Sequence, residues 1–348
     1  MSVTKVLIVN NAVPFAWGGA EELAANLARE INARKGMEAE VLRIPFAWQP
    51  KEQLIAEIVL NRALTIHNAD RVIALKFPAY LVNHHHKTIW LLHQFRQAYD
   101  LLDNGHSFLS RSEDGDILTA IRQADNACFD GAQKIFANSP VTQDRLKRYN
   151  QRSCEVLYPP LNDGALFEPG DYGNYIFAGG RVDPGKRQHL LAEAALKAGE
   201  NCKLVIAGPA TDEAYVARLH AFVEEHDLKD RVRLQIRMHS REEIAHLARN
   251  ALACAYIPFD EDSLGYVTME GASATRALIT TTDSGGLLEL VKNGETGLVT
   301  APTADALARA FAQLSSDHGL ARKLGKGARA LWDAKDITWD ATIRRLLG

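Results

Sequence analysis

Two loops and an acidic pair hold the residues best suited to chemistry. In Phe177-Ala178-Gly179-Gly180-Arg181-Val182-Asp183-Pro184-Gly185-Lys186 a strand-like run ends on two glycines, and two cations follow around a Pro-Gly turn. Arg offers a planar fork and Lys a mobile point charge, a combination suited to a diphosphate. An exposed basic loop is the plainer reading, but ligands of open α/β sheets bind where strands end. In Asp260-Glu261-Asp262-Ser263-Leu264-Gly265-Tyr266-Val267-Thr268-Met269-Glu270, seven residues separate Asp262 from Glu270. A helix starting near Gly265 leaves Asp262 in the loop before it and Glu270 on its second turn. The unpaired N–H groups of that first turn suit a phosphate, and Glu270 suits sugar hydroxyls. An acidic helix cap is the plainer alternative. Asp260 and Asp262 form a D-x-D pair, but no other metal ligands cluster near them in sequence.

Smaller signals share the same placement at strand ends. Trp17-Gly18-Gly19-Ala20-Glu21 joins the first strand to the first helix, and its glycines allow close backbone approach by a ligand. It lacks the G-x-G-x-x-G spacing of a dinucleotide site. Thr282-Asp283-Ser284-Gly285-Gly286 ends another strand with small residues, and His93 ends a strand in the first half. The run His84-His85-His86 reads as a polar loop.

Elements that could position these loops alternate along the whole chain. Strand-like runs fall at 6–9, 41–44, 72–75, 88–92, 135–137 and 155–157. A second series lies at 175–178, 204–207, 232–236, 253–257, 277–281 and 297–299. Many are apolar without alternation, as expected of strands covered on both faces. Helical patterns lie between them at 21–32, 116–132, 187–198, 212–225 and 304–315. This predicts an α/β chain with parallel sheets. Turn chemistry at 158–164 and 168–173 marks a seam, giving expected domains of 1–165 and 166–330 and a helical tail, 331–348, that contains Trp339.

The 348 residues carry 40 Lys and Arg against 43 Asp and Glu, a net charge of −3. Residues 1–165 hold 18 of each sign. Neither half has the basic excess of a general nucleic-acid binder. Cys128, Cys154, Cys202 and Cys254 form no C-x-x-C pair, which fits a reducing cytoplasm and no structural zinc. The N-terminal run Val6–Val9 reads as a buried strand rather than a signal peptide, and no apolar run is long enough to span a bilayer. The basic stretch Arg145–Arg152 offers at most peripheral contact at an inner membrane face, against the ordinary reading of a solvated helix face.

Taken together, Gly18-Gly19-Ala20-Glu21, Gly180-Arg181 with Lys186, Asp262-x7-Glu270 and Asp283-Ser284-Gly285-Gly286 resemble a retaining glycosyltransferase of the GT-B fold, glycosyltransferase family four. Ala137-Asn138-Ser139 with Arg145-Leu146, Val156-Leu157-Tyr158-Pro159-Pro160, and Asn293-Gly294-Glu295-Thr296-Gly297 extend the likeness over nearly the whole chain. The resemblance implies two Rossmann-like domains with parallel sheets facing a central cleft, and a last helix returning to the first domain. The first domain would hold a glycan or lipid-linked acceptor, and the second a nucleoside-diphosphate sugar with GDP-mannose as the leaning. It implies no cofactor and no metal. Arg181 and Lys186 would meet the diphosphate. His93, Asp262 and Glu270 would surround the transferred sugar and ribose. Gly18, Gly19, Gly180, Gly265, Tyr266 and Val267 would line the donor. The family's first acid is usually Glu where Asp262 stands. Spacing from Gly265 favours Asp262, with Glu261 as the alternative. A nucleotide-sugar epimerase or a noncatalytic sugar-nucleotide-binding subunit on the same scaffold are the competing readings.

Overall fold

The computed structural model describes residues 3–15 and 17–348. The chain forms two compact units. One runs up to Pro160 and regains Ile337–Gly348; the other is Leu161–Asp336.

The first unit holds strands β1 (Thr4–Ala12), β2 (Met37–Pro45), β3 (Arg71–Lys76), β4 (Lys87–His93), β5 (Lys134–Ala137) and β6 (Glu155–Val156). They pair in the order β2-β1-β3-β4-β5-β6, all parallel. Between them run α1 (Gly19–Asn32), α2 (Leu54–Ala63), α3 (Asp100–Asp103), α4 (Gly115–Asp130) and α5 (Pro140–Asn150). The chain reverses its direction of winding between β1 and β3, the position where open α/β sheets leave a crevice at their strand ends. Ile8, Ile73, Ile89 and Leu91 are buried almost completely. That is the cost-free outcome of covering non-alternating apolar strands on both faces.

The second unit repeats the scheme with β7 (Tyr175–Gly179), β8 (Lys203–Ala207), β9 (Val232–Gln235), β10 (Ala253–Ala255), β11 (Ala277–Thr281) and β12 (Gly297–Thr300). Their order, β12-β11-β10-β7-β8-β9, is the Rossmann order, again all parallel. The switch point lies between β7 and β10. Helices α6 (Gln188–Lys197), α7 (Glu213–Glu225), α8 (Arg241–Arg249), α9 (Tyr266–Ser273), α10 (Ala304–Ser316) and α11 (His318–Ala334) accompany them. Ile176, Leu204, Ile206, Leu307 and Phe311 form the centre of its core. Side-chain caps start many of these helices where the sequence turns from loop to apolar period. Asp212, Ser240 and Thr303 each accept the N–H of the third helical residue.

The units divide a few residues away from the expected borders. Leu161 and Phe167 are buried, and the Asn162 carbonyl accepts a hydrogen bond from Arg241 of α8 at 3.0 Å. Residues 161–165 therefore go with the second unit rather than the first. At the other end α11 runs unbroken to Ala334, so the chain re-enters the first unit at Ile337 rather than 331. Its last helix, α12 (Trp339–Leu347), packs Ile343, Leu346 and Trp339 against the cluster of Val6, Ile8 and Leu27. Thr88 Oγ1 donates to the Leu346 carbonyl at 3.1 Å, tying that helix to β4.

Candidate functional site

The basic loop after β7 is shaped by backbone crowding. Gly180 adopts φ +96°, and a Cβ on Gly208, which follows β8, would lie 2.0 Å from the Gly180 carbonyl oxygen. Only glycine permits that approach. Arg181 then projects with its Nε donating to Asp183 Oδ2 at 2.7 Å, its side chain 45% exposed. Burial works against the guanidinium charge, and Asp183 more than restores it, raising the pKa. Asp183 also accepts the Gly185 N–H at 2.9 Å, which folds Pro184–Lys186 into a single 3₁₀ turn. Lys186 Nζ forms an ion pair with the Glu261 carboxylate and lies 5.3 Å from the Tyr256 ring centroid. The Tyr256 hydroxyl donates to the same Glu261 oxygen at 3.2 Å. Burial pulls the Lys186 pKa down, but Tyr256 and Glu261 outweigh it and hold the ammonium well above its ordinary range. Two loops 75 residues apart are thereby joined through one cation.

Arg187, not singled out from the sequence, is the structural anchor of this loop. Its guanidinium donates to the Ile257 and Pro258 carbonyls at 2.7 and 3.0 Å, to Thr281 Oγ1 at 2.9 Å, and to both Asp283 oxygens at 2.8 and 2.9 Å. The fork thus binds the ends of β10 and β11 to the basic turn. A lone Arg beside a Lys in sequence carries no sign of this role.

The acidic segment is equally pinned. The Asp260 N–H donates to the Asp283 carbonyl and the Gly286 N–H to the Glu261 carbonyl, both at 2.8 Å. A Cβ at Gly285 would lie 2.4 Å from the Glu261 oxygen. The small residues 284–286 therefore admit a neighbouring backbone. Helix α9 starts at Tyr266 behind Gly265, whose φ is +72° and whose Cβ would meet the Tyr256 ring at 2.8 Å. The head of this helix lies against the basic loop, since a Cβ on Gly180 would come 3.3 Å from Val267 Cγ2. Gly180, Arg181, Lys186, Gly265, Tyr266 and Val267 are in this way gathered around the β7/β10 switch point. Asp262 is half-buried in the loop before the helix.

Glu270 sits on the second turn of α9 and is only 3% exposed. Its Oε1 already has a charged partner, Arg241 Nη1 at 2.6 Å. Arg241 also covers the Phe167 ring, 4.8 Å from its centroid. A sugar hydroxyl reaching Glu270 would share the carboxylate with Arg241. The sequence gives no cue to this pairing, because Arg241 stands 29 positions before Glu270.

His93, Gly18 and Gly19 belong to the other unit. His93 ends β4 beside Lys76 in the sheet register, and its Nδ1 donates to the Gln94 carbonyl at 2.8 Å. The Gly18 N–H, expected to face a ligand, donates instead to Glu21 Oε2 at 3.0 Å. Glu21 Oε1 accepts from Lys76 Nζ at 3.0 Å and from Asn10 Nδ2 at 3.4 Å. Burial raises the Glu21 pKa, and Lys76 overcomes this to leave it below the usual range. The glycine loop is thus closed by a partly buried ion pair at the β1/β3 switch point.

The remaining sequence signals resolve locally. Among the described residues no group of three or more His, Cys, Asp and Glu side chains is placed to hold a metal ion. The His84, His85 and His86 rings meet at tilted angles, with centroids 4.4 and 4.5 Å apart, in a surface turn. In the basic run, Arg145 meets Asp100 at 3.4 Å, Arg148 meets Asp103 at 3.3 Å, and Arg152 pairs with Asp130. These acids offset the charge that would attract an anionic surface. Among the described residues no helix is long and apolar enough to cross a membrane.

Known proteins offer matches at two levels. Residues 167–331 match the family model of glycosyl transferases group 1. A search of curated proteins found no match. Among solved structures, sucrose-phosphate synthase from Thermosynechococcus elongatus superposes with a TM-score of 0.76 at 18% identity, covering 98% of this chain and 97% of that one. HepE from Anabaena, solved with UDP and glucose, gives a TM-score of 0.71 at 19% identity and 98% coverage of both chains. WaaG, a glycosyltransferase involved in lipopolysaccharide biosynthesis, gives 0.72 at 15% identity, covering 99% of this chain and 100% of that one. The chain therefore has the GT-B fold, and within its second unit residues 167–331 are similar to glycosyl transferases group 1.

Proposed function

We propose that this protein is a metal-independent, retaining glycosyltransferase that moves a hexose from a nucleoside-diphosphate sugar to a glycan or lipid-linked acceptor. The observation that carries the reading is the convergence of Arg181, Lys186 and the head of α9 at the β7/β10 switch point. Departure of the sugar leaves negative charge on the diphosphate, and fixed cations aimed at it lower the barrier. Lys186 keeps its charge throughout the working pH range because Glu261 and Tyr256 hold the ammonium in place. The diphosphate would take over from Glu261 as the main anion facing Lys186. Arg181, half-exposed and held by one acid, has donors left for a second anion. Asp262 would contact the transferred sugar, while Glu270, oriented by Arg241, would accept from the ribose. The first unit would hold the acceptor, with His93 near the transferred sugar.

HepE was solved with UDP-glucose, so UDP-glucose stands beside GDP-mannose in the donor panel. Thermal stabilisation by each nucleoside-diphosphate sugar identifies the donor by mass action. Turnover is then followed in excess chelator, with the anomeric configuration of the product read by NMR. Stabilisation by a nucleotide sugar and a retained anomer in chelator support the reading. Absence of any stabilisation across the panel overturns it, and loss of turnover in chelator restored by Mn²⁺ overturns metal independence. Conversion of the donor with no acceptor present would instead identify an epimerase.

A further inference from the structure

Behind His93 runs a buried polar chain that the proposed chemistry leaves unused. Gln94 is 2% exposed, and its Nε2 donates to Asn150 Oδ1 at 2.6 Å. Asn150 Nδ2 donates to Asn126 Oδ1 at 2.8 Å and reaches the Tyr99 hydroxyl oxygen at 3.4 Å. The Tyr99 hydroxyl donates to Asp125 Oδ2 and the Tyr80 hydroxyl to Asp125 Oδ1, both at 2.8 Å. Asp125 has no exposed surface. The chain thus crosses from the end of β4 through α5 to the middle of α4.

Its hydrogen bonds all point one way. In its ionised form Asp125 only accepts, and both tyrosine hydroxyls then donate to it. The Tyr99 oxygen is left to accept from Asn150 Nδ2, which turns Asn150 Oδ1 toward Gln94. Gln94 must then present Nε2, and the whole side chain is held in one orientation. Holding that side chain also holds the Gln94 main chain, whose carbonyl is the one that His93 Nδ1 meets at 2.8 Å. A carbonyl only accepts, so Nδ1 carries the proton in the neutral ring, and the ring's lone pair lies on Nε2. Stability alone is a poor reason for this arrangement. Replacing buried polar sets with apolar residues of similar volume is often neutral or favourable, whereas a half-satisfied set is costly.

We propose that Asn150, itself oriented by Tyr99 and Asp125, is a positioning residue that fixes the tautomer and ring orientation of His93 through Gln94. The functional part rests on the reading that His93 lies at the site of transfer. The test uses the full chain labelled with ¹⁵N-histidine. The His93 signals are assigned from a His93→Gln variant, and its tautomer is followed in Asn150→Leu and Tyr99→Phe. Wild-type His93 should show the Nδ1–H form. Both variants should mix the tautomers. Their kcat should fall about 10-fold or more, a loss typical of a misplaced reacting group, with nucleoside-diphosphate affinity unchanged. Tyr99→Phe removes a single oxygen and keeps the test open if Asn150→Leu does not fold. Lower stability with an unchanged His93 tautomer makes the network purely structural and overturns the proposal. A shifted tautomer with unchanged kcat overturns its functional part. If the wild type binds no nucleoside diphosphate, the glycosyltransferase reading fails, while the NMR arm still decides the positioning.

Discussion

Asp125→Asn gives a stability effect whose sign and size follow from one buried carboxyl. Burial pushes the Asp125 pKa from 3.8 up to about 7, against the hydrogen bonds from Tyr99 and Tyr80, which pull it down. The folded chain thus binds this proton more tightly than the unfolded chain. The stability gained is fully present below about pH 4 and is lost as the pH rises through about 7. At about 1.4 kcal/mol for each pH unit between the two values, the full effect is about 4 kcal/mol. Between pH 5 and pH 8 the same linkage removes about 2–3 kcal/mol. Asn cannot titrate, and it offers one acceptor oxygen where the carboxylate offers two. One tyrosine hydroxyl loses its acceptor, a penalty of about 1–3 kcal/mol that is independent of pH. Subtracting the variant from the wild type cancels distant titrating groups. Four of the five tryptophans, Trp17, Trp48, Trp90 and Trp339, lie in the first unit with Asp125, against Trp332 in the second. Urea unfolding followed by tryptophan fluorescence at pH 5, 6, 7 and 8 therefore reports mainly on the relevant unit. The wild type should exceed Asp125→Asn by about 2–3 kcal/mol more at pH 5 than at pH 8. A stability gap that is flat with pH, or one that widens as pH rises, refutes the reasoning, because the second outcome requires a depressed carboxyl pKa.

The other predictions concern the donor side. Arg181→Ala and Lys186→Ala should each lower turnover on the order of 10²-fold with the fold retained; steady-state kinetics on folded variants checks this, and near-normal turnover removes that residue from the site. Glu270→Gln and Arg241→Met should each weaken nucleoside-diphosphate binding by about 1.5–3 kcal/mol, as for a hydrogen bond to a charged group. The double variant should lose less than the sum, and strict additivity in calorimetry would show that Arg241 does not act through Glu270. Asp262→Asn should reduce kcat more than it weakens binding of the bare nucleoside diphosphate, whereas Glu261→Gln should act on diphosphate binding through Lys186. The opposite pattern moves the sugar contact to Glu261.

All twelve strand-like runs became strands: most are unbroken apolar runs, which in an α/β chain suit a strand covered on both faces, while Val232–Gln235 alternates apolar with polar residues. Helices without a clean apolar period were harder to read. In α2, Ile55, Val59 and Leu60 face outward, so its pattern does not mark one buried side. The cations of the 181–186 loop were legible because they follow a glycine pair at a strand end. Their acid partners were not, since Lys186 and Glu261 meet only through the sheet order, and so do Arg241 and Glu270. Yet one long-range feature does leave a local trace. In α4 the buried stripe runs Leu118, Ile121, Asp125 and Phe129, and in α5 it runs Thr142, Leu146 and Asn150. Asp125 and Asn150 each occupy a place where helical period calls for an apolar side chain. A polar residue at such a place must find a partner inside the fold. Two helices with the same irregularity, packed against one strand end, point to a shared partner. Here that partner is the Tyr99 hydroxyl, and the strand it serves is the one that ends in His93.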